Sequence, residues 1–288
     1  MNTPRTLLLA CSAALALAPL TAIAQDAASQ TPSQTPSQPP AQPPAQPAAQ
    51  PAAAEAPSAE SIFEAYIEAI GGAEAVRAQT HRKLSGTYRG VPFANGARIT
   101  LWQEAPDKAH LRLAEPLGAS YSIYFNGETA WEKDTDGVAR ELAGSDRIEM
   151  METADFFGET NYAERYEEIR VSGEGVVDGD DAWAIYARSK NGRERTLMFS
   201  KATHLFIAEQ STIGDENPIR VQVVLDQYED VGGLLFPMRQ RQQITGTERK
   251  VEIVYRDVSA EPFDHNFDPP ADVIPAPAQP DDDAPAGG

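Results

Sequence analysis

Apolar and polar side chains alternate along much of the chain between residues 83 and 258. Leu84, Gly86 and Tyr88 lie on one side of the first such alternation. A period of two predicts β-strands that have one buried and one exposed face. Asn126-Gly127 is typical of a two-residue hairpin turn. Roughly eleven strands follow one another in this way, which predicts a run of consecutive hairpins.

Two stretches have helical spacing instead. Ile62, Tyr66 and Ile70 recur every fourth residue, which predicts a helix with one apolar face. Ser61 is predicted to cap this helix, and the glycine pair after its last apolar residue is predicted to end it. The second stretch is residues 145–166, which predicts one or two helices that cross one face of the sheet.

This order of elements predicts the fold class. Helices and strands do not alternate regularly, which argues against a parallel α/β sheet. We predict a mainly β (α+β) fold, in which a highly curved antiparallel sheet forms an incomplete β-barrel and helices cover its concave face. A sheet of this shape encloses an apolar interior that suits a hydrophobic ligand.

The first 24 residues predict export. Arg5 supplies a positive charge, residues 6–20 are apolar, and a small-x-small pattern ends at Ala24. These features predict a signal peptide over residues 1–24, with cleavage after Ala24 and a periplasmic mature protein. Cys11 resembles a lipoprotein cleavage site, but only about five apolar residues precede it, too few for a normal signal, so we do not expect anchoring there. We expect no transmembrane span in the mature chain.

Composition divides the rest of the chain. Residues 25–57 are almost entirely Gln, Pro, Ala, Ser and Thr, and we predict a disordered linker there. Residues 58–270 form the predicted folded domain. Residues 271–288 are rich in Ala, Pro and Asp, which predicts a disordered acidic tail. The single cysteine lies in the signal peptide, so the mature chain has no disulfide and no cysteine metal site.

The formal net charge of −19 limits the partners. An acidic protein repels nucleic acid and anionic membrane surfaces, so we expect neither as a direct partner. We expect a monomer whose partner is a hydrophobic ligand, such as a lipid or an acyl chain, or another protein of the cell envelope.

Motifs for catalysis and metal binding give no positive signal. The serines do not occur in a Gly-x-Ser-x-Gly elbow, and the histidines do not occur in a zinc motif. Residues 132–137 imitate the start of a calcium-binding EF-hand loop, but Ala143 stands where the loop needs an acidic residue. We therefore predict no catalytic residue, no metal site and no cofactor. The histidines are His81, His110, His204 and His265.

Several short stretches combine turn and packing residues in a recognisable order. They are Gly71–Ala75 with Lys83–Thr87, Tyr124–Glu132, Tyr228–Pro237 and Phe263–Pro270. Together they resemble LolA-like outer-membrane lipoprotein-sorting domains, over about residues 59–270. The resemblance implies an incomplete β-barrel with helices as a lid over an apolar cavity, which in the carriers receives the acyl chains of a lipoprotein. The Pro-rich leader and the acidity indicate a relative of the carrier rather than the carrier itself.

These observations favour an exported, periplasmic, non-enzymatic binding protein for a lipid, an acylated protein or another apolar ligand. Two alternatives stay open. The domain could be a structural or protein-interaction module of the cell envelope with a filled core, or an enzyme whose catalytic residues are scattered in sequence. The residues that we predict to line the cavity are Leu101, Leu113, Ile123, Trp131, Ile185, Val223 and Met238.

Overall fold

A computed structural model describes residues 56–276, apart from 94, 117, 159 and 214–218. The predicted signal peptide, most of the predicted linker and residues 277–288 lie outside the described residues. Those predictions therefore stay predictions.

Helices are short and few in the described part of the chain. They are α1 (Ala59–Ala69), α2 (Ala73–Ala78), α3 (Gly144–Ala154) and α4 (Tyr162–Arg165). None of these helices has the length and apolar character needed to cross a bilayer. The prediction of one or two helices within residues 145–166 is confirmed by α3 and α4.

Strands make up most of the described domain. The first six are β1 (His81–Arg89), β2 (Ala97–Glu104), β3 (Lys108–Ala114), β4 (Ser120–Asn126), β5 (Ala130–Lys133) and β6 (Ala139–Glu141). The others are β7 (Tyr166–Val177), β8 (Asp180–Ser189), β9 (Glu194–Ser200), β10 (Phe206–Ile213), β11 (Ile219–Val231), β12 (Leu234–Ile244) and β13 (Lys250–Ser259).

All of these strands belong to one antiparallel sheet, in the order β6-β5-β4-β3-β2-β1-β13-β12-β11-β10-β9-β8-β7. The first strand therefore pairs with the last, near the middle of the sheet. The two edges, β6 and β7, are neighbours in sequence but do not pair, and α3 and α4 lie between them in the chain. This open sheet of consecutive hairpins confirms the predicted mainly β fold.

The helices pack on one face of the sheet, which we call the inner face. On α1, the Phe63 ring lies 5.1 Å from the ring of Phe199 on β9. On α3, the carbonyl of Thr153 accepts a hydrogen bond of 2.8 Å from the side chain of Gln103 on β2. One helix therefore contacts each half of the sheet, as expected for helices that cover its interior.

The cap of α1 differs from the prediction. The helix begins at Ala59, and the side chain of Ser58, not Ser61, accepts the capping hydrogen bond, from the Ser61 amide at 3.1 Å. At the other end, the Ile70 carbonyl accepts a hydrogen bond of 2.9 Å from the Leu235 amide. This bond ties the end of α1 to the β11–β12 hairpin.

Strand β7 begins earlier than the alternation predicts. The alternation of apolar and polar residues predicts a strand that begins at Glu174, but β7 starts at Tyr166. Its register shifts between Tyr166 and Glu168 and again between Val171 and Gly173. Each shift changes which residues face inward, so an edge strand with two irregularities shows no steady period of two.

The C-terminal segment continues past the predicted end of the domain. The Ile274 amide donates a hydrogen bond of 3.0 Å to the Ala139 carbonyl, and the Glu141 amide donates one of 2.8 Å to the Ile274 carbonyl. The segment therefore lies along β6 and covers part of that edge of the sheet. Backbone groups at a sheet edge otherwise remain available for pairing with another chain.

Candidate functional site

A cavity of about 240 Å³ lies between α1, the α3–α4 region and the inner face of the sheet. Its lining has two chemically different parts, which we call the apolar wall and the charged wall. The apolar wall comprises mainly Phe63, Tyr66, Ile70, Phe199, Phe206, Leu225, Leu234, Leu235 and Phe236. The charged wall comprises Arg82, Gln103, Glu152, Asp155, Arg165, Arg195 and Glu209.

The apolar wall begins with the buried face of α1. Phe63, Tyr66 and Ile70 recur at helical spacing, so one side of the helix presents all three to the cavity. The Tyr66 ring meets that of Phe199 edge-on at 5.4 Å and that of Phe206 at 6.3 Å. Edge-to-face contacts of this kind fix the rings, which makes this wall well defined.

The β11–β12 hairpin completes the apolar wall. Its turn contains Gly232 and Gly233, which have positive φ angles of 67° and 88°. Glycine adopts this left-handed backbone without steric cost, so the hairpin reverses within two residues. The residues that follow, Leu234 to Phe236, line the cavity.

The charged wall gathers around the C-terminal end of α3. Glu152 accepts hydrogen bonds of 2.9 Å from Asn191 and from Arg193, and it also pairs with Arg195. Burial by itself raises the pKa of the Glu152 carboxyl, but Arg195, Arg165, Arg193 and the bond from Asn191 outweigh burial. The pKa therefore lies below its usual value, and Glu152 remains an anion.

Arg195 is the most deeply buried cation of this wall, with its side chain 1% exposed. It lies between Glu152 and Glu209, whose carboxylate is 3.6 Å from Nη1. Burial lowers the pKa of the guanidinium, but the attraction of Glu209 and Glu152 raises it further than burial lowers it. Arg195 stays charged, because losing it would leave two buried carboxylates with less compensation.

Two more arginines complete the charged wall. The guanidinium carbon of Arg82 lies 4.6 Å from the ring centre of Phe156 and 5.1 Å from that of Phe236. At Gly158, a Cβ would lie 2.5 Å from Nη1 of Arg165. The missing side chain at Gly158 therefore makes room for the Arg165 guanidinium at the cavity.

Of the residues predicted to line the cavity, Leu101 does so. The structure places five others in the main hydrophobic core, where each is at least nine-tenths buried. Their side chains face the interior of the sheet and pack against other core residues. These five are Leu113, Ile123, Ile185, Val223 and Met238.

Trp131 lies on the outer face, opposite the cavity. It pairs with Tyr124, which pairs with His110, which in turn pairs with Trp102, the neighbour of the cavity residue Leu101. Successive residues of a strand point to opposite faces, so this whole row faces away from the cavity. The Trp131 indole donates a hydrogen bond of 3.1 Å to the Phe267 carbonyl.

The same row accounts for two of the histidines. The His110 ring stacks on Tyr124 at 3.8 Å and on Trp102 at 4.7 Å. Its Nδ1 atom is 2.7 Å from Nε2 of His265, and one of these nitrogens donates a hydrogen bond to the other. These contacts give both histidines a structural role between the sheet and the C-terminal segment.

In the acidic turn that resembles the start of an EF-hand loop, the Asp134 carboxylate is bonded to groups of the turn itself. The Asp134 carboxylate accepts hydrogen bonds from the amides of Asp136, at 3.0 Å, and Val138, at 2.9 Å, and it pairs with Arg140. Within residues 56–276, as far as they are described, no group of three or more His, Cys, Asp or Glu residues is arranged to hold a metal ion.

The charged wall was not predicted from the sequence. Arg195 shares the inward positions of β9 with Leu197 and Phe199, and Glu209 pairs with Leu197 from β10. A charged residue at an inward position of a predicted strand was the available signal. The partner from α3, Glu152, lies far away in sequence and could not be paired with them from periodicity.

No family model matches the chain, and no curated protein matches it by sequence. Solved structures with a similar fold include a DUF1329 family protein from Desulfovibrio piger, with a TM-score of 0.50, 12% identity, and coverage of 69% of this chain and 91% of that one. A LolA superfamily protein from Nitrosomonas europaea has a TM-score of 0.51, 12% identity, and coverage of 73% and 96%. At this identity the likeness is one of fold, and it confirms the structural resemblance to LolA-like domains.

Proposed function

We propose that this protein is an exported, periplasmic, non-enzymatic binding protein that holds the apolar part of a lipid, an acylated protein or another apolar ligand in its cavity. The observation that carries the proposal is the cavity of about 240 Å³ with a continuous wall of aromatic and aliphatic side chains. Pockets for small ligands are concave and mostly apolar, with a few polar groups that fix orientation. The likeness in fold to a LolA superfamily protein supports the same proposal.

Binding would be driven by burial of hydrocarbon. Each methylene group that leaves water contributes about 0.8 kcal/mol. Helix α1 contacts the sheet through side chains such as Phe63, whereas α3 is also held by the ion pairs of Glu152 with Arg193 and Arg195. We propose that they act as the lid, and that their displacement sets the rate of release.

We propose no enzymatic activity because the charged side chains at the cavity that are best suited to catalysis are bound to one another. Glu152 is engaged by Asn191, Arg193 and Arg195, and Arg195 lies between Glu152 and Glu209. A general base or acid needs a pKa near the working pH, and a carboxylate held in ion pairs with a lowered pKa does not meet that need.

Two substitutions on β11 provide the test. Leu225 lines the cavity, and its neighbour Val224 lies on the opposite face, while both side chains are partly buried. The full-length chain would be purified after export and extracted with organic solvent, and lipid would be measured by mass spectrometry. Binding of the neutral fluorophore N-phenyl-1-naphthylamine would be measured in parallel.

We expect co-purified lipid and fluorophore binding in the parent and in Val224→Glu, and loss of both in a folded Leu225→Glu protein. Circular dichroism would confirm that both variants fold. Absence of lipid and of fluorophore binding in the parent would instead favour the interaction module with a filled core.

A further inference from the structure

We propose that the cavity takes a single-chain amphiphile with an anionic head group, whose chain lies on the apolar wall and whose head contacts the Arg165 region of the charged wall. This inference rests on the proposed function and narrows the ligand to one chemical class. It is carried by the small volume of the cavity, the contact between its two walls and the unpartnered donors in the charged wall.

The volume of the cavity favours a ligand with one chain over a ligand with several. At about 240 Å³ the cavity lies below the range of about 300–1,000 Å³ that is usual for small-ligand pockets. A lipid with several acyl chains would need more room, which displacement of the helices could provide.

The two walls match the two parts of an amphiphile. A wholly apolar ligand would cover the charged wall and remove water from its ions, which costs free energy unless the lost hydrogen bonds are replaced. A polar head group replaces them. The charged wall meets the apolar wall directly, since Arg82 contacts Phe236 and Arg195 shares β9 with Phe199.

The formal charges of the charged wall balance. Arg82, Arg165 and Arg195 face Glu152, Asp155 and Glu209. Of these arginines, Arg195 is paired with both Glu152 and Glu209. The head group is therefore selected by hydrogen-bonding atoms that lack a partner rather than by an excess of one charge.

Two unpartnered donors in the charged wall indicate an anionic head group. Among the described residues, the buried Nε atoms of Arg165 and Arg195 have no hydrogen-bond acceptor, and Oε1 of Glu209 has no donor. A buried donor without an acceptor is costly, so an oxyanion placed here gains strong, charge-assisted hydrogen bonds after a small side-chain adjustment.

The test compares head groups on one chain length. Calorimetric titration of the full-length chain would use octanoate, octyl phosphate, octanol and octyltrimethylammonium. The variants would be Arg165→Gln and, as a matched control, Arg170→Gln, which removes an exposed arginine on β7 that pairs with Glu168. Thermal unfolding would confirm that both variants fold.

We expect the parent and Arg170→Gln to bind the two anionic probes at least tenfold more tightly than octanol, and the cationic probe more weakly still. Arg165→Gln should lose about tenfold in affinity for the anionic probes and keep its affinity for octanol. Equal binding of octanol and octanoate, or an anionic preference that Arg165→Gln leaves unchanged, would overturn this inference but not the proposed function. If no probe binds, both fail.

Discussion

His110 illustrates how far the surroundings of one residue change its chemistry. The sequence places it on a polar face of a strand, yet it is only 4% exposed because His265 and the C-terminal segment cover it. Burial, with smaller contributions from His265 and Arg112, lowers the pKa of its imidazole to about 3. The ring is therefore neutral near pH 7, and a neutral ring can take either role in the hydrogen bond between the two histidines.

This shift predicts a loss of stability in acid. Between about pH 6.5 and about pH 3 the unfolded chain binds a proton at His110 and the folded chain does not, so the free energy of unfolding falls as the pH falls. The contribution is about 1.4 kcal/mol per pH unit. Urea unfolding across this range should show a shallower pH dependence in His110→Gln than in the parent. His204→Asn, at an exposed residue, is the control and should match the parent. Identical slopes in all three proteins would contradict the prediction.

At the scale of elements, the C-terminal segment acts as a strap across the outer face. Phe263 contacts His81 on β1, His265 contacts β2 and β3, and the carbonyl of Phe267 binds Trp131 on β5. The segment then reaches β6 through Ile274. Composition predicted the fold boundary near Pro270, but backbone hydrogen bonds to an edge strand need no apolar side chains and leave no trace in composition.

Removal of the strap should promote self-association. A chain that ends at Pro262 would expose the outer-face row of Trp102, His110, Tyr124 and Trp131 and free the backbone of β6. Exposed aromatic surface and an unpaired edge both favour contact between chains. Light scattering should show larger species for this chain, whereas a chain that ends at residue 276 should behave like the full-length protein. Unchanged scattering in the shorter chain would argue against a shielding role.

At the scale of the whole molecule, pairing of the first and last strands joins the two halves of the sheet. Among the thirteen described strands, each strand between β6 and β1 and between β13 and β7 pairs with its neighbour in sequence, and β1–β13 is the strand pair that links distant segments. The register of this pair shifts between Ser85 and Gly86. A Cβ at Gly86 would lie 2.1 Å from the carbonyl oxygen of Val254, so the two backbones approach too closely for any side chain.

Gly86→Ala should therefore weaken the connection between the halves. Forcing a methyl group into this contact should lower the free energy of unfolding by about 1–3 kcal/mol or more. Chemical denaturation would measure the loss, and hydrogen exchange should show reduced protection along both β1 and β13. Ser85→Ala, one residue away, should change stability far less. Equal effects of the two substitutions would show that the close approach is not what limits this position.

The sequence by itself determined the class of fold, because the period of two and the turn residues are local properties. The alternation predicts β1 from Leu84, Gly86 and Tyr88, and the β4–β5 turn is predicted from Asn126-Gly127. Neither prediction depends on distant residues. It did not determine β6 or the start of β7, since short or irregular edge strands have too few alternating positions.

Only the tertiary structure decided which inward-facing side chains line the cavity and which are buried in the core. Leu101 and Leu113 have the same apolar character on neighbouring strands, yet Leu101 lines the cavity and Leu113 is enclosed in the core. The charged wall was decided at the same level, because Glu152 and Arg195 meet only when α3 lies against β9. Periodicity fixes the face toward which a side chain points, whereas the packing of distant elements fixes what it contacts there.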